Sequence, residues 1–192
     1  LLTNGWDHHS RITAAEKFGY DNDEFESRHQ LCFYLYEIGK ITLQEYLKET
    51  LFYQPRRFTM EKFIDFMHAQ SKAYEPMIHF VKQLKHENHL KVVLLSNEGR
   101  ELADYRRKTF ALNEISDMFV VSSYVHLRKP DKDMYQMALD LVQQPPENVL
   151  YFDDRQLFIE VAAGMGIFGV RHIDLKTTQK GIKGLFSLSN YE

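Results

Sequence analysis

Two aspartates stand side by side where an apolar run ends: Val149-Leu150-Tyr151-Phe152 leads into Asp153-Asp154. Adjacent carboxylates repel each other and resist burial, so a compensating positive charge belongs nearby. A hard cation fits, because Mg²⁺ takes one or two carboxylates together with waters and a substrate phosphate. A helix cap beside a solvated aspartate accounts for the same pair. Ser96-Asn97 closes a second apolar run, Val92-Val93-Leu94-Leu95, just before a helix. A hydroxyl at a helix N-terminus is an anion site or a plain N-cap. Lys129, within Arg128-Lys129-Pro130-Asp131, places a point charge ahead of another helix, suited to a phosphate or to open solvent. Taken together, hydroxyl, ammonium and paired carboxylates describe a Mg²⁺-phosphate pocket.

Such a pocket needs elements that bring distant residues together. From Glu75 onward, short β-rich runs at Val92–Leu95, Met118–Val121, Val149–Phe152 and Ile167–Val170 alternate with helical patterns. Strands alternating with helices, each strand continuously apolar, predict an α/β fold with a doubly wound parallel sheet covered on both faces. Ligands bind outside the carboxyl ends of such strands. The residues to read are therefore 3–7, 96–98, 126–130 and 153–154. Leu1-Leu2 reads as the tail of a further strand. From about Ile12 to Gln70 every pattern is helical. Phe25, His29, Cys32 and Tyr36 share a face, Thr42 and Glu45 form a capping box, and Met60, Phe63, Ile64 and Met67 recur at helical spacing.

These motifs, in this order, resemble the haloacid dehalogenase (HAD) superfamily. Strand-Ser96-Asn97, Lys129-Pro130-Asp131 and Val149-Leu150-Tyr151-Phe152-Asp153-Asp154 look like its second, third and fourth motifs. Ala162-Ala163-Gly164-Met165-Gly166-Ile167 looks like the stretch after the fourth. Tyr36-Glu37-Ile38-Gly39-Lys40-Ile41-Thr42 looks like the cap of the subgroup with a helical cap after the first motif.

The resemblance implies a HAD-like Rossmannoid core over residues 1–9 and 76–192 and a small all-helical cap over residues 10–75. It implies a phosphatase that hydrolyses a small phosphomonoester through an aspartyl-phosphate. The nucleophilic Asp is expected just upstream of Leu1, because Leu1-Leu2-Thr3-Asn4-Gly5 looks like the stretch following the first motif. By the same resemblance, Ser96 and Asn97 bind the phosphoryl group and Lys129 offsets charge between nucleophile and phosphate. Asp153 ligates Mg²⁺ directly, and Asp154 directly or through water. Paired acids at this position favour a Mg²⁺-dependent phosphatase over the metal-free dehalogenases. Asn4 and Trp6 lie near the hinge between core and cap, where Trp6 suits a substrate-pocket wall or hinge packing. The alternative is a non-catalytic HAD-like protein that binds phosphate and Mg²⁺ or a partner. Phospho-receiver domains use similar residues, but with the acidic pair first and the lysine last.

Composition narrows the classes further. The 192 residues carry 24 basic and 27 acidic side chains, a net charge of −3, which argues against a nucleic-acid binder. The short basic runs Arg56-Arg57 and Arg106-Arg107-Lys108 read as solvated helix faces. No apolar run approaches the roughly 20 residues of a membrane span. The single cysteine, Cys32, fits a reducing, cytoplasmic compartment and reads as a buried structural thiol. An aromatic content of 14% suits a dense core in the helical half or a homodimer face.

Overall fold

The computed structural model describes residues 1–183, 185 and 186; the C-terminal remainder of the expected 76–192 core lies outside them. Four helices come first: α1 (His8–Phe18), α2 (Asn22–Glu37), α3 (Leu43–Thr50) and α4 (Met60–Ala69). Each starts on a side chain that accepts a backbone N–H left unpaired in its first turn, from Asp7, Asp21, Thr42 and Thr59 in turn. Thr42 and Glu45 form the expected capping box. Gly19 ends α1 in the left-handed conformation.

The helices enclose an aromatic-rich core of Trp6, Phe25, Tyr36, Tyr46, Phe63 and Met67, joined by Leu102 from later in the chain. His29 lies inside it, 8% exposed, with Nδ1 2.8 Å from the Tyr46 hydroxyl. Burial, with help from Arg11 and against Glu26, pushes its pKa down to about 4. A folded-state pKa below the unfolded value of about 6.5 contributes stability above that value and loses it as pH falls toward 4. Between pH 7 and 5 the His29 contribution should fall by about 2 kcal/mol. Urea unfolding at the two pH values tests this: His29→Gln should show a smaller difference than the parent chain, and an equal difference would refute it.

The rest alternates. α5 (Glu75–Asn88), opened by Pro76, leads to β1 (Val93–Ser96), α6 (Arg100–Thr109), β2 (Met118–Val121) and the short α7 (Ser122–Val125). Then come α8 (Lys132–Val142), β3 (Leu150–Asp153), α9 (Gln156–Ala163), β4 (Phe168–Arg171) and α10 (Leu175–Gly181). All pairings among these strands are parallel, as expected for an α/β fold. The expected single sheet is divided, however, into two ladders, β1 with β2 and β3 with β4. Apolar runs mark strands but do not reveal which edges hydrogen-bond. Leu2 packs in one apolar cluster with Met77, Phe80 and Val170, against half-buried Leu94 of β1 and Phe152 of β3. The N-terminal residues thus meet side chains from both ladders. Register puts Ser96 opposite Val121 and Asp153 opposite Arg171, so both ladders deliver chemistry-bearing residues at their carboxyl ends.

Two expectations about solvent contact change. Cys32 is half-buried rather than buried, because its α2 neighbours Leu31 and Leu35 face outward, Leu31 at 79% exposure. Partial burial still raises its thiol pKa, which keeps it protonated and poorly nucleophilic. Arg106 is buried at 2% exposure, not solvated: it pairs with Glu98 and donates from Nε to Ser71 Oγ at 3.1 Å. Both partners lie outside its own helix, where a local charge run cannot reveal them. Among the described residues no helix is long and apolar enough to cross a membrane.

Candidate active site

Lys129 is the centre of the arrangement. The residue is 6% exposed, and its side chain reaches between the ladders. The ammonium donates to the Leu95 carbonyl of β1 at 3.0 Å and to Asp153 Oδ2 of β3 at 2.6 Å. Asn97 sets its position. The Asn97 amide donates to the Lys129 carbonyl, and its oxygen accepts from the Lys129 N–H, both at 2.8 Å. The Lys129-Pro130 bond is cis.

Asp153, 4% exposed, is held from every side. Its Oδ2 also accepts from the Tyr151 hydroxyl at 2.6 Å, and Oδ1 accepts from the Arg155 N–H at 2.9 Å. Burial alone would raise its pKa; the Lys129 ammonium, Tyr151 and the Arg155 amide outweigh that and hold it below the usual carboxylate range. Burial also lowers the Lys129 pKa, opposed by Asp153 and Asp154. Each charge favours the ionised form of the other.

Ser96 closes β1, half-buried, one residue past the Leu95 carbonyl that binds Lys129. Asp154 is exposed at the rim. Leu1 lies beside them, with its backbone nitrogen in the field of Asp154, Asp153 and Lys129. The structure therefore brings Ser96, Asn97, Lys129, Asp153 and Asp154 together. It places Asn4 and Trp6 elsewhere. The Asn4 amide ties two chain crossings together, donating to the Gln70 carbonyl at 2.9 Å and accepting from the Lys72 N–H at 2.6 Å. Trp6 is 5% exposed and packs edge-on against Phe63 in the aromatic core, which favours hinge packing over a pocket wall. The direction of a side chain past a strand end is not encoded in its spacing.

The donor set fits a hard cation such as Mg²⁺. A carboxylate oxygen has two lone pairs. Asp153 Oδ2 has both engaged, but Oδ1 has one free, and exposed Asp154 adds a second carboxylate. Among the described residues there is no cluster of three or more metal-binding side chains, and Mg²⁺ is commonly held by one or two carboxylates together with waters.

Sequence reasoning missed three residues here. Tyr151 shares a strand face with Asp153 two residues on, a signal that alternation carries. Glu37, the last residue of α2, pairs with Arg128 at 2.9 Å. Nothing in their spacing joins them. Ser122 Oγ donates to the Glu37 carbonyl at 2.6 Å and accepts the Glu98 N–H at 2.9 Å, which pins the end of α2 beside the Ser96 loop.

A haloacid dehalogenase-like hydrolase family model matches residues 5–166. A HAD family enzyme of Bacteroides thetaiotaomicron is similar in structure, with a TM-score of 0.77 and 19% identity, covering 88% of this chain and 87% of the other. The same enzyme complexed with magnesium and inorganic phosphate matches at 0.76 and 19% identity over 88% of each chain. A predicted HAD-like family hydrolase of Porphyromonas gingivalis matches at 0.69 and 17% identity, covering 89% of this chain and 84% of its own. At these identities the structures establish the shared fold, and the family match over residues 5–166 establishes kinship: the chain belongs to the haloacid dehalogenase-like hydrolases.

Proposed function

We propose that the protein is a Mg²⁺-dependent phosphatase that hydrolyses a small phosphomonoester through an aspartyl-phosphate, with the nucleophilic Asp contributed by residues preceding Leu1. The observation that carries this reading is the Lys129–Asp153 pair at 2.6 Å, held between the carboxyl ends of β1 and β3 with Ser96 and Asp154 beside it.

Each residue has a part. The Ser96 hydroxyl donates to a phosphoryl oxygen. Lys129 offsets negative charge between two anionic reactants in a buried setting, where such charge is most costly. Asn97 holds the Lys129 backbone. Asp153 and Asp154 would hold Mg²⁺, which supplies charge neutralisation at the phosphoryl oxygens. The helical unit of residues 10–75 acts as a cap that excludes water and selects the leaving group.

The test is a panel of small phosphomonoesters assayed with the full-length protein, with Mg²⁺ and after chelation. Hydrolysis should require Mg²⁺, Ser96→Ala should lower kcat/KM about 10²-fold, and Asp153→Asn should lower it at least as much. Undiminished rates in Asp153→Asn would sink the assignment. A second reading, binding of phosphate and Mg²⁺ without turnover, draws on the carboxylates around Lys129. Among the described residues, Asp153 is fully engaged with its donors on Oδ2 and Glu37 with Arg128. Phosphate binding without hydrolysis of any ester in the panel would favour that reading.

A further inference from the structure

The turn that follows Ser96 is held from the helical unit. Ser96 is the last residue of β1 and lies opposite Val121, so the ladder fixes it on one side. On the other side, the Glu98 N–H donates to Ser122 Oγ at 2.9 Å, and that hydroxyl donates to the Glu37 carbonyl at the end of α2 at 2.6 Å. Ser122 is wholly buried, so losing its hydroxyl leaves both partners unpaired. At Gly99 a Cβ would fall on the buried Tyr36 ring, which also belongs to α2. The Glu98 carboxylate pairs with Arg106, whose Nε donates to Ser71 Oγ, just past α4, at 3.1 Å. The end of α2 is itself seated on α7 and the residue after it. The Ile38 carbonyl lies 2.7 Å from His126 Nδ1, and Gly39 abuts the Ser123 backbone.

We propose that Ser122 is a positioning residue that makes phosphate binding at Ser96 depend on the seating of the helical unit against α7. The inference rests on the phosphatase reading for the part Ser96 plays, and adds a link between two regions of the fold. With the end of α2 in place, the Ser122 hydroxyl has its acceptor and is oriented to receive the Glu98 N–H. When α2 lifts, that acceptor goes, Tyr36 leaves Gly99, and the turn is free to take conformations that do not present the Ser96 hydroxyl. Apparent affinity then falls with the population of the binding conformation. The Asp153 carboxylate takes its bonds from Lys129, Tyr151 and Arg155, none of them on α2 or α7. Mg²⁺ binding therefore does not share this dependence.

Calorimetry on the full-length protein separates the two ions: inorganic phosphate is titrated in the presence of Mg²⁺, and Mg²⁺ in the absence of phosphate. Ser122→Ala should weaken phosphate about tenfold, as expected when one buried hydrogen bond no longer holds the turn, and leave Mg²⁺ affinity unchanged. Gly99 has an ordinary extended conformation, so Gly99→Ala adds only the clash with Tyr36. It should give the same split without touching the Ser122 bonds, and it replaces Ser122→Ala if that variant does not fold. A general loosening of the structure would weaken both ions together and overturn the proposal. Phosphate affinity unchanged in Ser122→Ala, or in Gly99→Ala where it is the replacement, overturns it as well and leaves the phosphatase reading standing. A parent that binds no phosphate overturns that reading, and this proposal with it.

Discussion

Lys129→Met should destabilise the fold by about 3–5 kcal/mol at pH 7, because it leaves Asp153 buried without its counter-ion. Asp153 is 4% exposed, and its carboxylate depends on the ammonium 2.6 Å away. In the parent chain Asp153 has a depressed pKa, so its contribution is present above the unfolded value of about 3.9 and is lost only as pH falls below it. In the variant the sign reverses. With the ammonium gone, burial raises the Asp153 pKa above its unfolded value, and the carboxylate opposes folding at neutral pH. Acidification toward pH 4 protonates it and relieves that cost. The deficit of Lys129→Met relative to the parent should therefore shrink steadily from pH 7 to pH 4. Chemical unfolding across that range tests it: a deficit independent of pH would mean that lost packing, not an orphaned charge, dominates.

Gly39→Ala should cost about 3 kcal/mol or more. Gly39 has φ of 69°, a left-handed conformation that costs an ordinary residue roughly 1–2 kcal/mol. A Cβ there would also drive into the Ser123 carbonyl, with the Ser123 carbonyl carbon 3.0 Å and Cα 3.1 Å away. Those are backbone atoms, which cannot swing aside as a flexible side chain does. Gly19 supplies the control, with φ of 68° and nothing within 4 Å of the same Cβ. Gly19→Ala should lose only the conformational term, about 1 kcal/mol. The difference between the two urea midpoints isolates the close approach of the α2 end to α7. Equal losses would show that this seam yields.

The sequence reveals the alternation of strands and helices because parallel strands in this fold are nearly continuous apolar runs, so β1 to β4 fall within a residue or two of their expected places. The chemistry at the strand ends is legible for the same reason: a polar residue that stops an apolar run is conspicuous, as Ser96 and Asp153 are. What is hidden depends on contacts across long separations. The division of the sheet turns on which edges pair. Trp6 and Asn4 follow an apparent strand end but turn toward the aromatic core and toward Gln70. Glu37 and Arg128 meet across ninety-one positions, and Arg106 finds Ser71 from another part of the fold.

The Asn97 amide pairs with the Lys129 main chain as a neighbouring strand would, giving one donor and one acceptor. Its reach makes the register of the lysine independent of the chain that runs between them. Residues 98–128, with α6, β2 and α7, leave and return to that pair, anchored on the way by the β1–β2 register and by Ser122. The segment between α6 and β2 buries Leu112 and Ile115 in the core and should resist insertion, and position 97 should accept almost no substitute. Aspartate can accept but not donate, and glutamine holds its amide one methylene too far out. In a saturation library the signature is intolerance at position 97 whatever side chain stands at 129, because the amide holds only main-chain atoms there.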